Sequence, residues 1–217
     1  MFYLILLVLE VLMYLFYSVN LMPDKKKKKL IIVVSSPSGA GKTTICKRLL
    51  KADRKLRLSI SDTTRSPRQN EVNSKDYNFI SMNQFKNKIK NNKYIEYAKV
   101  FGNYYGSPKE YIIKSHNAGY DVLFDIDWQG AEQLKSSYFN HLVLIFIVPP
   151  SKDEIYNRLS LRSSESGDKK ESINKRMSLY ETEMSHKDEY DHVVINNDLD
   201  QCVDEIISII DDERNTN

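Results

Sequence analysis

An α/β fold with a parallel central sheet between two layers of helices is what this sequence predicts, and three observations carry it. Four short apolar runs, at 30–34, 122–124, 142–148 and 193–195, are bounded by turn-forming residues. Continuous runs of this kind suit strands buried on both faces, the condition of a parallel sheet rather than of a half-exposed antiparallel one. Stretches with helical spacing separate the runs, as crossovers between parallel strands require. Directly after the first run comes SSPSGAGKTT at 35–44, which reads as a phosphate-binding loop joining a strand to a helix. A chain of 217 residues, 41% hydrophobic and 28% charged, is large enough to bury a core of this architecture and carries no signature of disorder.

The chain opens with MFYLILLVLEVLMYLFYSVNLM, about as long and apolar as a membrane span and interrupted only by Glu10. It has neither a basic leading region nor a small-residue cleavage site, which argues against a cleaved signal peptide. Were it to span a membrane, the lysine run at 25–29 would stay on the cytoplasmic side. Because a nucleotide-handling segment begins almost at once after Met22, the expected start is Met22, with 1–21 an upstream extension that reaches a membrane only if it is translated and inserts. Both alternatives place the working domain, 22–217, in the cytoplasm. The lysine run reads as a solvated tail, and a net charge of +3 predicts no nucleic-acid surface.

The strict phosphate-loop pattern is G-x-x-x-x-G-K-[ST]. Here Ser36 stands where the first glycine belongs, followed by Pro37, Ser38, Gly39, Ala40, Gly41, Lys42 and Thr43. Gly39 and Gly41 permit backbone angles that let successive N–H groups converge on an anion, and the next helix adds its unpaired N-terminal amides. Lys42 would reach the β- and γ-phosphates of a triphosphate such as ATP, and the Thr43 hydroxyl would ligate Mg²⁺. The plainer alternative is a Gly/Ser turn between strand and helix, which the buried-type strand before it and the Lys-Thr pair after it disfavour.

Residues 61–108 are rich in Tyr, Asn, Arg and Lys and break the alternation, which predicts an insertion with its own small sheet and helix. Within it Arg65 and Arg68 flank Pro67 at a spacing that would let two guanidinium groups grip one phosphate, and Tyr77 adds a rigid hydroxyl donor. EYAKVFGNYYGSP then brings Glu96, Tyr105 and Ser107 around Gly102 and Gly106. Taken alone, these are equally a basic loop and an aromatic hairpin. Asp125 closes the second apolar run, so it would sit at the carboxyl edge of a buried strand, where it could hold Mg²⁺ directly or through water.

After Pro149 and Pro150, Ser151-x-x-Glu154 has the form of a capping box opening a helix. On that helix Arg158 and Arg162 share a face beside Ile155 and Leu159, although arginines on helices are commonly only solvated. The polar run at 163–168, within 157–176, suits a mobile flap. A final core helix from 199 to about 210 carries Leu199, Val203, Ile206, Ile207 and Ile210 at helical spacing. Cys46 and Cys202 read as core residues of a reducing compartment, and His116, His141, His186 and His192 show no metal-ligand spacing.

Three motifs are more specific. Thr63-Thr64-Arg65-x-x-Arg68-x-x-Glu71 with Tyr77-x-Phe79, then Phe101-Gly102-Asn103-Tyr104-Tyr105-Gly106, then Asp125-Ile126-Asp127-Trp128-Gln129-Gly130 resemble the signatures of guanylate kinases. The resemblance runs in order from Leu30 to about Arg214. It implies a P-loop three-layer fold with a core (30–60, 109–156 and 177–214), an inserted GMP-binding lobe (61–108) and a helical lid (157–176). It further implies that Arg65, Arg68, Tyr77 and Tyr105 bind the GMP phosphate, while Ser61, Glu71, Glu96, Ser107 and Asp127 line the nucleoside, with Glu96 and Ser107 nearest the base. Lys42, Arg65, Arg158, Arg162 and Arg176 would stabilise charge on the transferring group. The implied reaction is Mg²⁺-dependent transfer from ATP to GMP or dGMP. Asn70, where family members often have Gly, and Ser74, where the signature has Gly, depart from the family and put the local backbone of the lobe's turn in question. Two rivals remain: a kinase for another monophosphate such as AMP or dTMP, and a non-catalytic scaffold of the same family, which could dispense with Lys42 and the lid arginines.

Overall fold

The computed structural model describes residues 29–68, 71–137, 141–166 and 170–216. Strand β1 (Ile31–Ser35) is buried along its whole length because it serves two cores. Alternation along the strand sends Ile32 and Val34 into one cluster with Ile45, Leu49, Val203 and Ile206. Ile31 and Val33 point the other way, to Ile112, Ala131 and Leu134. Helices α1 (Lys42–Ala52) and α8 (Leu199–Thr216) thus cover one face, and α3 (Lys109–Asn117) and α4 (Trp128–Ser136) the other.

Beside β1 lie β7 (Asp121–Asp125) and β8 (Leu142–Val148), with β2 (Leu56–Leu58) and β9 (His192–Ile195) at the edges. The order is β2-β7-β1-β8-β9 and every pairing is parallel. In this register Val34 pairs with Asp125, which delivers that carboxylate to the mouth of the loop that follows β1. The four strands expected from apolar runs are present, two of them extended by a residue or more. The strand β2 escaped prediction because it has three residues with Arg57 in the middle; that guanidinium lies 3.6 Å over the Tyr120 ring. Helix α8 continues past 210 because Arg214, near its end, is held by Asp121 at 2.8 Å and Asp211 at 2.9 Å. Cys46 and Cys202 are free, buried and members of one core cluster.

Between β2 and α3 the chain builds a second sheet in the order β4-β3-β6-β5, from β3 (Asp62–Thr63), β4 (Asn78–Phe79), β5 (Tyr94–Val100) and β6 (Asn103–Pro108). The lobe is too small for a large apolar core and is pinned instead by a fully buried carboxylate. Asp62 accepts from Lys88 at 2.5 Å, Tyr94 at 2.6 Å and Asn78 at 2.9 Å, joining β3, β4, β5 and α2 (Met82–Lys90). Phe85 of α2 stacks on Tyr94 with ring centroids 4.6 Å apart. Ser74, in the turn before β4, has φ 62°, so this position does demand the backbone that glycine gives freely. Asn70 lies outside the described residues.

A reciprocal capping box forms at Ser81 and Gln84, opening α2. The one expected at Ser151 and Glu154 forms in half. Ser151 Oγ accepts the Glu154 N–H at 3.1 Å, but the Glu154 carboxylate takes the Arg158 guanidinium at 2.7 Å, a charged donor preferred over a neutral amide. Helix α5 (Lys152–Ser166) runs unbroken through 157, so the expected flap begins inside a helix; 167 and 168 of its polar run lie outside the described residues. After α6 (Lys170–Ser178) and α7 (Tyr180–Ser185), the chain enters β9. Ile155, Leu159, Ile173 and Ala40 form a third apolar cluster, which seats α5 and α6 against the phosphate loop. Among the described residues, no helix is long and apolar enough to cross a membrane; the extension 1–21 lies outside them.

Candidate active site

The loop after β1 owes its shape to two left-handed residues. Gly39 and Gly41 take φ of 94° and 98°. A Cβ on Gly41 would also stand 2.8 Å from Asn196 Nδ2, so angle and space both exclude a side chain. Ser36 is not among the positive-φ residues, which explains why the first pattern position accepts serine; its hydroxyl donates to the Pro37 carbonyl at 3.0 Å. Gly41 caps α1 without a side-chain hydrogen bond, so no capping group competes with an anion for the first-turn amides. Ala40, expected to face a nucleotide, is turned inward. It is fully buried, and its carbonyl accepts from Asn196 at 2.8 Å and Arg158 at 3.3 Å.

A cavity of about 420 Å³ runs from this loop to the second sheet. Ser36, Pro37, Ser38, Gly39, Gly41, Lys42 and Thr43 line one end. The Lys42 ammonium donates to the Ile126 carbonyl and sits 2.8 Å from Asp125 Oδ1. Burial alone would lower the Lys42 pKa, but the adjacent Asp125 carboxylate outweighs it and holds the amine charged. Thr43 Oγ1 donates to the other oxygen of Asp125 at 2.9 Å. A hydroxyl and a carboxylate side by side beneath a phosphate site are hard oxygen donors of the kind Mg²⁺ takes when phosphates and water complete its shell. Among the described residues no cluster of three or more His, Cys, Asp or Glu could hold a metal by itself.

At the other end Glu96 is 3% exposed. Strand register puts it directly opposite Ser107, whose hydroxyl donates to Glu96 Oε1 at 2.5 Å. Ser61 Oγ, 3.1 Å from Ser107 Oγ, completes the group. Burial pushes the Glu96 pKa up to about 7, with the Ser107 hydrogen bond opposing the rise and Asp127 adding to it. Gly130 leaves room for this carboxylate: a Cβ there would stand 2.7 Å from Glu96 Oε2 and displace it. Ser107, expected nearest the base with Glu96, is fully buried and spends its hydrogen on Glu96, so it stands behind the carboxylate rather than on the cavity wall. Asp127 is on the wall and also caps α4, accepting from Gly130 N–H at 3.2 Å.

Arg65, Arg68, Tyr77 and Tyr105 meet on the wall between the two ends. Glu71 does not join them as a lining residue. It lies behind the arginines, bound by both Arg65 guanidinium nitrogens at 2.8 and 2.9 Å and by Arg68 Nη1 at 3.4 Å. Burial would raise its pKa, yet these arginines hold it below the ordinary carboxylate range. Its negative charge holds both guanidinium groups on one carboxylate. Arg65 Nε also donates to Tyr105 Oη at 3.2 Å.

From the helical side, Arg158 and Arg176 reach the cavity. Arg158 is oriented by Glu154, and Arg176 Nη1 donates to Ser38 Oγ at 3.0 Å. Arg162 is on α5, but its side chain lies outside what is described. Three further contributors had no role assigned to them in the sequence. Phe101, at φ 48° in the β5–β6 turn, lies under the Arg176 guanidinium at 5.0 Å. Asn196 holds the Ala40 carbonyl, and the available signal was a polar residue just past an apolar run; that run, expected to be buried, is the edge strand β9, with Val193 and Ile195 exposed. Glu183, on the wall, accepts the Ser38 N–H at 2.9 Å.

A phosphate loop at the carboxyl edge of a parallel sheet, facing an arginine-tyrosine cluster on an inserted lobe, defines the class of P-loop nucleotide-binding α/β proteins. The family model described as Guanylate kinase matches residues 27–213. Similar proteins include the guanylate kinase of Rickettsia felis, 50% identical over 180 residues, covering 83% of this chain and 92% of that protein. That of Rickettsia prowazekii is 49% identical over 183 residues, covering 84% and 91%. The crystal structure of guanylate kinase from Anaplasma phagocytophilum has a TM-score of 0.71 at 34% identity and covers 86% of each chain. The chain belongs to the guanylate kinase family, and with that membership goes a small-molecule nucleotide as substrate.

Proposed function

We propose that the protein is a cytoplasmic ATP:GMP phosphotransferase, converting ATP and GMP or dGMP to ADP and GDP or dGDP with Mg²⁺. The observation that carries this reading is the buried Glu96, aimed into the same cavity as the phosphate loop and braced by Ser107. Guanine presents two adjacent donors, N1–H and the N2 amine, which one ionised carboxylate accepts together; adenine has an acceptor at N1 and no N2 amine. With the wrong base the buried carboxylate would lose its partners, which is a strong form of discrimination.

In this reading 61–108 is the GMP-binding lobe, with Arg65, Arg68, Tyr77 and Tyr105 holding the acceptor phosphate and Ser61, Glu96 and Asp127 the nucleoside. Residues 36–43 hold the donor phosphates. Thr43 and Asp125 would hold Mg²⁺, which would supply neutralisation of negative charge on the donor phosphates. An oxygen of the GMP phosphate attacks the γ-phosphorus of ATP, the bond from that phosphorus to the β–γ bridging oxygen breaks, and ADP departs with the electron pair. Phosphate monoesters have a second pKa of about 6, so the attacking group is already ionised near neutrality and no general base is required. Catalysis is then in-line positioning and charge neutralisation by Lys42, Arg65, Arg158 and Arg176, with Arg162 from the lid.

A coupled ADP-release assay with GMP, AMP, dTMP and CMP as acceptors tests this. GMP or dGMP should be preferred, and preference for any other acceptor, or no transfer at all, overturns it.

A further inference from the structure

Glu183 is on α7, 145 positions from the loop residue it touches, and its carboxylate occupies part of the cavity wall. Glu181, two residues earlier, pairs with Lys152 at the surface, as a solvated glutamate does. Glu183 instead turns inward and accepts the backbone N–H of Ser38 at 2.9 Å. A carboxylate moved from water to a partly buried wall needs compensation, and here a main-chain donor of the phosphate loop supplies some of it.

Ser38 is gripped twice from the same side. Glu183 of α7 takes its N–H, and Arg176 of α6 donates to its hydroxyl at 3.0 Å. It directly precedes Gly39, the first left-handed residue of the loop. An exposed loop turn with an unsatisfied amide would sample several conformations, whereas one held at both N–H and hydroxyl is set before its ligand arrives.

We propose that Glu183 is a positioning residue for the phosphate loop. By holding Ser38 N–H it fixes the front turn of the loop to the α6–α7 segment that carries Arg176, so that the donor triphosphate meets a preset loop and guanidinium. This rests on the donor-site reading given above. The effect is specific to the donor, because the acceptor side is braced separately, Glu96 by Ser107 and the arginines by Glu71.

Glu183→Met removes the acceptor while keeping side-chain volume, and Glu183→Gln keeps an acceptor oxygen while removing the charge. Steady-state kinetics with ATP varied, alongside calorimetric titration of GMP, read the two sites apart. The expected result for Glu183→Met is a rise of about tenfold or more in KM for ATP, with the Kd for GMP within about twofold of wild type. Glu183→Gln should return KM for ATP to within about threefold of wild type. A wild-type KM for ATP in Glu183→Met, a parallel loss of GMP binding, or a Gln variant as impaired as the Met variant overturns the proposal. Failure of the underlying kinase reading shows differently, as a wild-type protein that transfers no phosphate from ATP.

Discussion

The two ends of the cavity recognise their ligands by different means. The phosphate loop is backbone: two left-handed glycines, a helix N-terminus and one lysine, all within residues 36–43. The opposite end is side chain: Glu96 and Ser107 come from the paired strands β5 and β6, Ser61 from the position just before β3, and the small sheet brings the three together. Every nucleotide has phosphates, so a contiguous backbone cradle suffices for them and says nothing of the base. Telling one base from another needs a charged acceptor held in a fixed place, and that takes a folded lobe around it.

Removing the amine at the loop end is the most severe way to break this comparison. Lys42→Ala should lower kcat by about 10³-fold or more with every acceptor, because charge neutralisation at the donor is lost whichever base is bound. A rate that falls for GMP alone would show that the two ends are not separable.

Glu96→Gln sharpens the contrast from the other side. It should reduce kcat/KM for GMP by about 10²- to 10⁴-fold and leave ATP handling nearly intact. The same carboxylate predicts a pH dependence. Its folded pKa, about 7, lies above the unfolded value, so the empty protein loses stability as pH rises between the two. Guanine needs the ionised form, so GMP binding expels the proton, and affinity should improve as pH rises through about 7. Calorimetry in buffers of different ionisation enthalpy should detect proton release that disappears in Glu96→Gln.

The smallest expected effect concerns the lobe's frame alone. Ser74 at φ 62° is strained, and Ser74→Gly should stabilise the protein by about 0.5–1 kcal/mol, raising Tm by about 2 °C. Since Ser74 is not on the cavity wall, kcat should not change; a large kinetic effect would mean that the turn's strain is transmitted to Tyr77, whose carbonyl accepts the Ser74 N–H at 2.8 Å.

Much of the site was legible because its residues lie in contiguous motifs or at element ends. Lys42 and Thr43 follow the glycines, and Asp125 ends a buried run. Glu71 and Ser107 were named as lining the nucleoside, and in the structure they bond to Arg65 and Glu96 instead of lining the cavity. Sequence spacing cannot tell a side chain that faces a ligand from one that faces its neighbours. Phe101 was read only within a motif, and Glu183 and Asn196 were not singled out, since each of the three acts on a segment distant in sequence.

The sequence by itself determined the parallel sheet, the loop and the inserted sheet, because apolar periodicity, glycine placement and the phosphate-loop pattern are local consequences of backbone geometry. Only the tertiary structure decided that β5 and β6 set Glu96 against Ser107, that Glu71 binds both arginines, and that α6 and α7 reach Ser38. Those are long-range pairings, and their distances come from sheet register and helix packing, which no single segment encodes.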